Sequence, residues 1–227
     1  MKHKIIDALI SAAVYIIGIG AIGLILFWPQ ISEGAGTFDL GGKFENSDLQ
    51  LTTSIDSSWE SGKWERDFEF DYRYKESKGI QTKDEGLIGL KQRLEFKPKH
   101  YVFGLVRYDF NEFREIKYRT QADVGWGYKI LRTDKIKMSN EFAVGVLHKT
   151  SGSEIIVRNS LWFFYKVAPK LNFTNKFLYE ATDVPLVRNE TEFNYLLTDK
   201  VKIGLKNIYT EDPYHDNVLA FNVGYIF

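Results

Sequence analysis

Residues Trp64 to Lys75 read W-E-R-D-F-E-F-D-Y-R-Y-K. Trp64, Phe68, Phe70, Tyr72 and Tyr74 take the even positions, with Arg66 as the one intruder. Glu65, Asp67, Glu69, Asp71, Arg73 and Lys75 take the odd ones. A strand sends successive side chains to opposite faces, so this stretch makes one aromatic and one ionic face. A helix would spread the same charges around its whole circumference. A soluble sheet would bury the aromatic face in a core. A membrane barrel would turn it to lipid and keep the charges around a wet lumen.

The rest of the chain favours the barrel. It has 227 residues, enough for one large all-β domain, and 30 Lys plus Arg balance 30 Asp plus Glu. Zero net charge argues against a nucleic-acid partner, which would call for a basic excess. Aromatics reach 15 %, and Tyr and Trp favour membrane interfaces. Cysteine is absent, which removes disulfides, thiolate metal sites and cysteine nucleophiles.

At the amino terminus Lys2 and Lys4 precede an apolar run from Ala8 to Trp28, followed by Ser32-Glu33-Gly34 and Gly34-Ala35-Gly36. This pattern predicts a cleaved export signal over residues 1–35, with a retained anchor helix as the alternative. Residues 36–227 then form the barrel. Their alternating segments predict about twelve strands, most of them ~9–11 residues long, the length that crosses a bilayer when tilted. In one segment Tyr118, Ala122, Val124, Trp126, Tyr128 and Ile130 oppose Arg119, Gln121, Asp123, Gly125, Gly127 and Lys129. Tyr101 to Val106 and Leu161 to Tyr165 are apolar on both faces and fit the pattern least clearly.

The connections predict an orientation. Glu60 to Lys63, Lys97 to His100, Leu131 to Asp134, Ala168 to Lys170 and Thr198 to Lys200 read as tight turns. Glu76 to Asp84, Lys149 to Ser153 and Glu211 to Asp216 read as longer loops. Outer-membrane barrels have short periplasmic turns and longer external loops. Trp59, Trp64, Phe96, Tyr128 and Phe227 fall near the short-turn end; Tyr74, Phe110, Tyr118, Tyr179 and Tyr209 fall near the other. Both sets suit interfacial girdles.

The last segment alternates Leu219, Phe221, Val223, Tyr225 and Phe227 to the final residue. A terminal Phe with an aromatic two positions before it resembles the carboxy-terminal signal that the barrel assembly machinery reads in bacterial outer-membrane proteins. Tyr101-Val102-Phe103-Gly104, Tyr108, Phe113, Tyr118-Arg119-Thr120 and Gly125-Trp126-Gly127-Tyr128 resemble the central block of the salt-induced outer-membrane protein family. Phe44 to Asp48 resembles its early G-N-T/S-D turn, with Glu45 where the family has Gly. The resemblance covers most of residues 36–227 and implies an outer-membrane β-barrel with a role in envelope stress. It implies no reaction.

The expected fold is therefore a transmembrane, antiparallel, up-and-down β-barrel in the bacterial outer membrane. Its lumen should be lined by Glu65, Asp67, Glu69, Asp71, Arg73, Lys91, Arg93, Arg107, Asp109, Arg119, Asp123, Arg188, Glu190, Glu192, Lys202 and Lys206. Comparable numbers of each sign predict a narrow channel for small polar solutes with little ion selectivity, or a closed structural cylinder. The four histidines show no metal-ligand spacing, so neither a metal nor a cofactor is expected. His148 with Ser151 or Ser153 could imitate a lipase pair at the rim, but no nucleophile motif surrounds them, and an enzyme is not expected. A helix-anchored β-domain with a lipid or ligand cavity is the remaining alternative.

Overall fold

The computed structural model describes residues 35–45, 48–77, 80–111, 117–211 and 216–226. Their strands are β1 (Ala35–Glu45), β2 (Asp48–Ser61), β3 (Trp64–Ser77), β4 (Ile80–Lys97), β5 (His100–Asn111) and β6 (Tyr118–Arg132), then β7 (Ile136–Lys149), β8 (Gly152–Ala168), β9 (Leu171–Ala181), β10 (Leu186–Leu196), β11 (Val201–Glu211) and β12 (Asp216–Ile226). Each pairs antiparallel with its chain neighbours, and β12 returns to β1, for example Thr37 with Ile226 and Gly41 with Asn222. The sheet is a closed up-and-down barrel. The expected export or anchor segment lies outside the described residues, apart from Ala35. So do Phe113, His215 and Phe227.

Burial shows which face looks inward. On β6, Gln121 is 1 % exposed and Asp123 is 3 % exposed, while Val124 between Asp123 and Gly125 is 69 % exposed. Val144, Ile155, Leu219 and Phe221 are likewise exposed. Polar groups inside and aliphatic groups outside invert the order of a soluble domain. Trp64 and Phe96 are exposed near the short turns, as are Tyr118 and Tyr179 near the other end; Trp59 is buried.

Two sequence expectations change. The stretch from Glu76 to Asp84 is not an open loop, because the β3–β4 ladder continues past a bulge at Lys75/Glu76 to pair Ser77 with Ile80. The β7–β8 hairpin is equally tight, pairing Lys149 with Gly152. β1 and β2 are joined as tightly at that end, pairing Glu45 with Asp48, so the difference between the two ends rests on the connections after Asn111, Ala181 and Glu211. β5, apolar on both faces in sequence, sends one of its two apolar sets inward. Tyr101, Phe103 and Leu105 are buried inside with Ala143, while Val102 and Val106 are exposed. Glycine on the adjoining strand makes this fit. Phe103 pairs with Gly125 and Tyr101 with Gly127. A Cβ added at those glycines would come within 2.5 Å of the Phe103 ring and 2.1 Å of the Tyr101 ring. The rings occupy a trough of bare backbone.

The assigned faces make a depth-dependent prediction. Val124 sits mid-strand and Val167 sits near the short-turn end of β8. Val124→Arg should destabilise the folded barrel by ~2–4 kcal/mol and Val167→Arg by ~0–1 kcal/mol. Reversible denaturant unfolding in lipid vesicles measures both, and equal costs would contradict the outward placement.

Candidate functional site

The bore is built from alternate residues of β2 to β12, and its identity is fixed by contacts between strands that are not neighbours. Lys91 on β4 bonds Glu141 on β7. Arg119 on β6 reaches Glu180 on β9 at 2.9 Å. Arg158 on β8 lies 3.5 Å from Asp123 on β6. Arg188 on β10 lies 4.0 Å from Asp71 on β3, nearly opposite in the ring. Such pairs can form only through the interior of the cylinder.

The contacts stack in layers. At the short-turn end Lys129 bonds Glu95 at 2.6 Å, and Arg93 bonds Glu65 at 2.8 Å and Asp67 at 2.6 Å. The next layer centres on Glu141. Its carboxylate accepts from Lys91 and from the Tyr101 hydroxyl at 2.8 Å, and Arg93 lies 3.5 Å away. Across the ring at about the same level Lys206 faces Glu190 at 3.4 Å, and nearer the short turns Lys202 faces Glu192 at 3.8 Å. At the far end Arg73 meets Glu85 at 3.2 Å and Arg107 meets Asp109 at 3.1 Å. Nearly every charge drawn into the wall thus meets its opposite, which offsets the cost of taking it out of bulk water.

Among the described residues two chambers along the bore bear on passage. The larger, about 690 Å³, lies toward the short turns and is lined by Asp56, Glu69, Lys91, Tyr101, Trp162 and Lys176 among others. The smaller, about 170 Å³, lies toward the opposite end and is lined by Asp71, Glu85, Asp109, Arg119, Lys149 and Glu180 among others. Arg107 and Arg188 line both. Lys176 on β9 faces Asp56 and Glu69 closely enough for their charges to interact, although no hydrogen bond joins them among the described residues. Several polar atoms here are buried without a hydrogen-bond partner, including Nε of Arg119, Arg158 and Arg188 and one carboxylate oxygen of Glu180.

All sixteen residues proposed from sequence stand on the inward register. Asp71, Arg73, Arg107, Asp109, Arg119 and Arg188 border the smaller chamber. Glu65, Asp67, Glu69, Lys91, Arg93, Glu190, Glu192 and Lys202 border the larger, together with Arg107 and Arg188. Asp123 and Lys206 lie in the wall beside them. Sequence reasoning missed Asp56, Glu141, Arg158, Lys176 and Glu180. Glu141 alternates clearly and could have been found; β8 and β9 carry apolar residues on both faces, which hid the other three of that half.

Tyr225, the described half of the expected assembly signal, is exposed on the outer face of β12. His148 Nδ1 lies 2.9 Å from Ser153 Oγ across the β7–β8 hairpin, on the outer face. Among the described residues no carboxylate or amide bonds its other ring nitrogen, so the orienting group of a hydrolase triad is missing. No group of metal-ligating side chains occurs among the described residues.

The model for a family described as "Protein of unknown function, DUF481" matches residues 35–227. No curated protein matches the sequence. Among solved structures, the NanC porin superposes with a TM-score of 0.55 at 10% identity, covering 84% of this chain and 98% of that one. The KdgM porin superposes with a TM-score of 0.51 at 7% identity, covering 84% and 98%. At these identities the likeness is one of fold.

The Glu141 layer gives a test of the ionic wall. Glu141→Ala leaves Lys91 and Arg93 short of a partner and should cost about 3–5 kcal/mol. The double substitution Lys91→Met with Glu141→Met should recover much of that loss. Unfolding midpoints of the three proteins check it; additive losses would show that the two groups do not act as a pair.

Proposed function

The chain belongs to the family of unknown function DUF481, so no reaction comes with its membership, and we propose instead from the geometry that it is a bacterial outer-membrane barrel giving small polar solutes a narrow charged passage. The observation that carries this reading is the pair of chambers meeting at Arg107 and Arg188. What joins the walls at that level is side chains. A guanidinium on a long flexible stem can swing aside for a solute and return to its carboxylate, whereas a backbone plug cannot. The porin names of two barrels with the same fold support the same reading.

The apolar outer band is the surface that lipid requires, and closure of the ladder leaves no edge exposed to it. The short-turn end faces the periplasm and the other end faces outward. Tyr225 and Phe227 serve as the mark by which the assembly machinery takes up the chain. Residues 1–35 serve as the export segment. Charges of both signs around both chambers give weak discrimination between anions and cations. The salt-induced name of the family that the sequence resembles adds the expectation that the barrel is wanted at high external salt.

Planar-bilayer recording of the refolded protein tests the passage. Wild type should show small, weakly selective conductance, and Arg188→Ala should raise it several-fold by opening the layer between the chambers. Silence from both proteins would leave only a structural role in the envelope.

A further inference from the structure

Arg66 breaks the aromatic series of β3 and stands on its outward face. It pairs in register with Trp59 on β2 and with Gln92 on β4. Gln92 pairs with Gly104, and Gly104 with Val124. Two polar side chains and a glycine thus stand side by side on the outward register of three adjacent strands. Among the described residues no carboxylate bonds Arg66. A cation on the lipid face is costly unless it finds an anion at the headgroup level.

Beside this pair runs an apolar groove of about 720 Å³ on the outer surface, lined by Trp64, Gln92, Gly104, Val124, Trp126 and Val144 among others. Packing does not demand the glycine that forms it. A Cβ at Gly104 would meet nothing nearer than the Asp123 carbonyl at 3.9 Å, unlike Gly125 and Gly127, where one would strike a ring. The groove also changes depth along its length. Arg66 lies two residues from the start of β3, roughly 7 Å along the strand. Gly104 lies four residues into β5, roughly 13 Å, and Val144 lies eight residues into β7, roughly 26 Å. The polar end is at the interface and the apolar end is in the hydrocarbon layer.

We infer that Arg66, Gln92 and the groove over Gly104 form a phospholipid site on the periplasmic leaflet, the guanidinium holding the phosphodiester and one acyl chain lying between Val124 and Trp126. The inference rests on the membrane placement proposed above. An arginine that simply snorkels would use any headgroup and would need no groove. A groove that held a second copy of the chain would have no use for an unpaired cation at its shallow end.

The test is native mass spectrometry of the full-length protein, refolded into phosphatidylglycerol vesicles and released into detergent. Wild type should retain a single phosphatidylglycerol that excess inorganic phosphate does not displace. Arg66→Leu should lower the retained fraction roughly tenfold, the scale of a charge-assisted contact. Gly104→Leu, whose Cβ has room and whose remaining side chain projects into the groove, should do the same with Arg66 intact. Retention unchanged in both variants, displacement by inorganic phosphate, loss only in Arg66→Leu, or a dimer that Gly104→Leu dissociates would each overturn the site. Failure of the wild type to enter vesicles would overturn the membrane placement, and the site with it. Insertion with unchanged lipid retention would overturn the site alone.

Discussion

Closure of the hydrogen-bonded ladder is the constraint from which the rest of this structure follows. A sheet in hydrocarbon must satisfy every backbone N–H and C=O within itself, and only a cylinder without edges does so. The return of β12 onto β1 meets that demand. Once the cylinder is closed, each strand has an outer face and an inner face, and the two-residue period of the strand sorts apolar from ionic residues between them. The charges of β3 are then forced to one side together, and only other strands' charges can answer them.

The interior answers them thoroughly. A bore of this size is too wide for one layer of aliphatic side chains to fill and too narrow for ions to ignore one another. Long cationic stems from β4, β6, β8 and β10 reach carboxylates on other strands, and Glu141 serves two cations and a tyrosine hydroxyl at once. Asp123 illustrates the density of this arrangement. It bonds Gln121 at 2.7 Å, faces Arg158, and sits where a side chain on Gly145 would collide with it. A lumen-facing position in this barrel is therefore not a free surface position, and neutralising Asp123 would disturb a packed neighbourhood. Around the large chamber Lys176 faces Asp56 and Glu69 through charge alone, with no hydrogen bond between them among the described residues.

Much of this was legible in the sequence because period-two alternation leaves its mark wherever the two environments differ sharply. β6, β7 and β12 read correctly for that reason, while on β3 the charges share one register as expected but Phe70 and Tyr72 of its aromatic face are buried. The alternation fails as a guide where both faces are apolar. On β5 the inward set is Tyr101, Phe103 and Leu105, and on β8 it includes Ile156 and Trp162. Nothing in those segments alone says which ring points inward; the answer lies in Gly125 and Gly127 on the next strand. Loop length was misjudged for a related reason. Glu76 to Asp84 is mostly polar, as a loop would be, but the same polarity suits a ladder extending beyond the apolar band. The partners of each lumen charge were not legible at all, since Lys91 with Glu141 or Arg188 with Asp71 depends on the curvature of the closed sheet.

The block that resembles a known family now has a physical reading. In Tyr101-Val102-Phe103-Gly104 the rings go inward and Val102 and Gly104 go outward. In Gly125-Trp126-Gly127-Tyr128 the glycines go inward and the bulky groups go outward. Register places Tyr101 on Gly127, Val102 beside Trp126, Phe103 on Gly125 and Gly104 beside Val124. Tyr101 and Phe103 on β5 are thus each matched by a bare position on β6 inside the wall, while outside the glycine is on β5. The sheet keeps its thickness by exchanging bulk between its faces from one strand to the next. A motif of this kind marks how a wall is packed. The lumen chemistry is carried by residues elsewhere on the ring, whose spacing along the chain leaves no short signature.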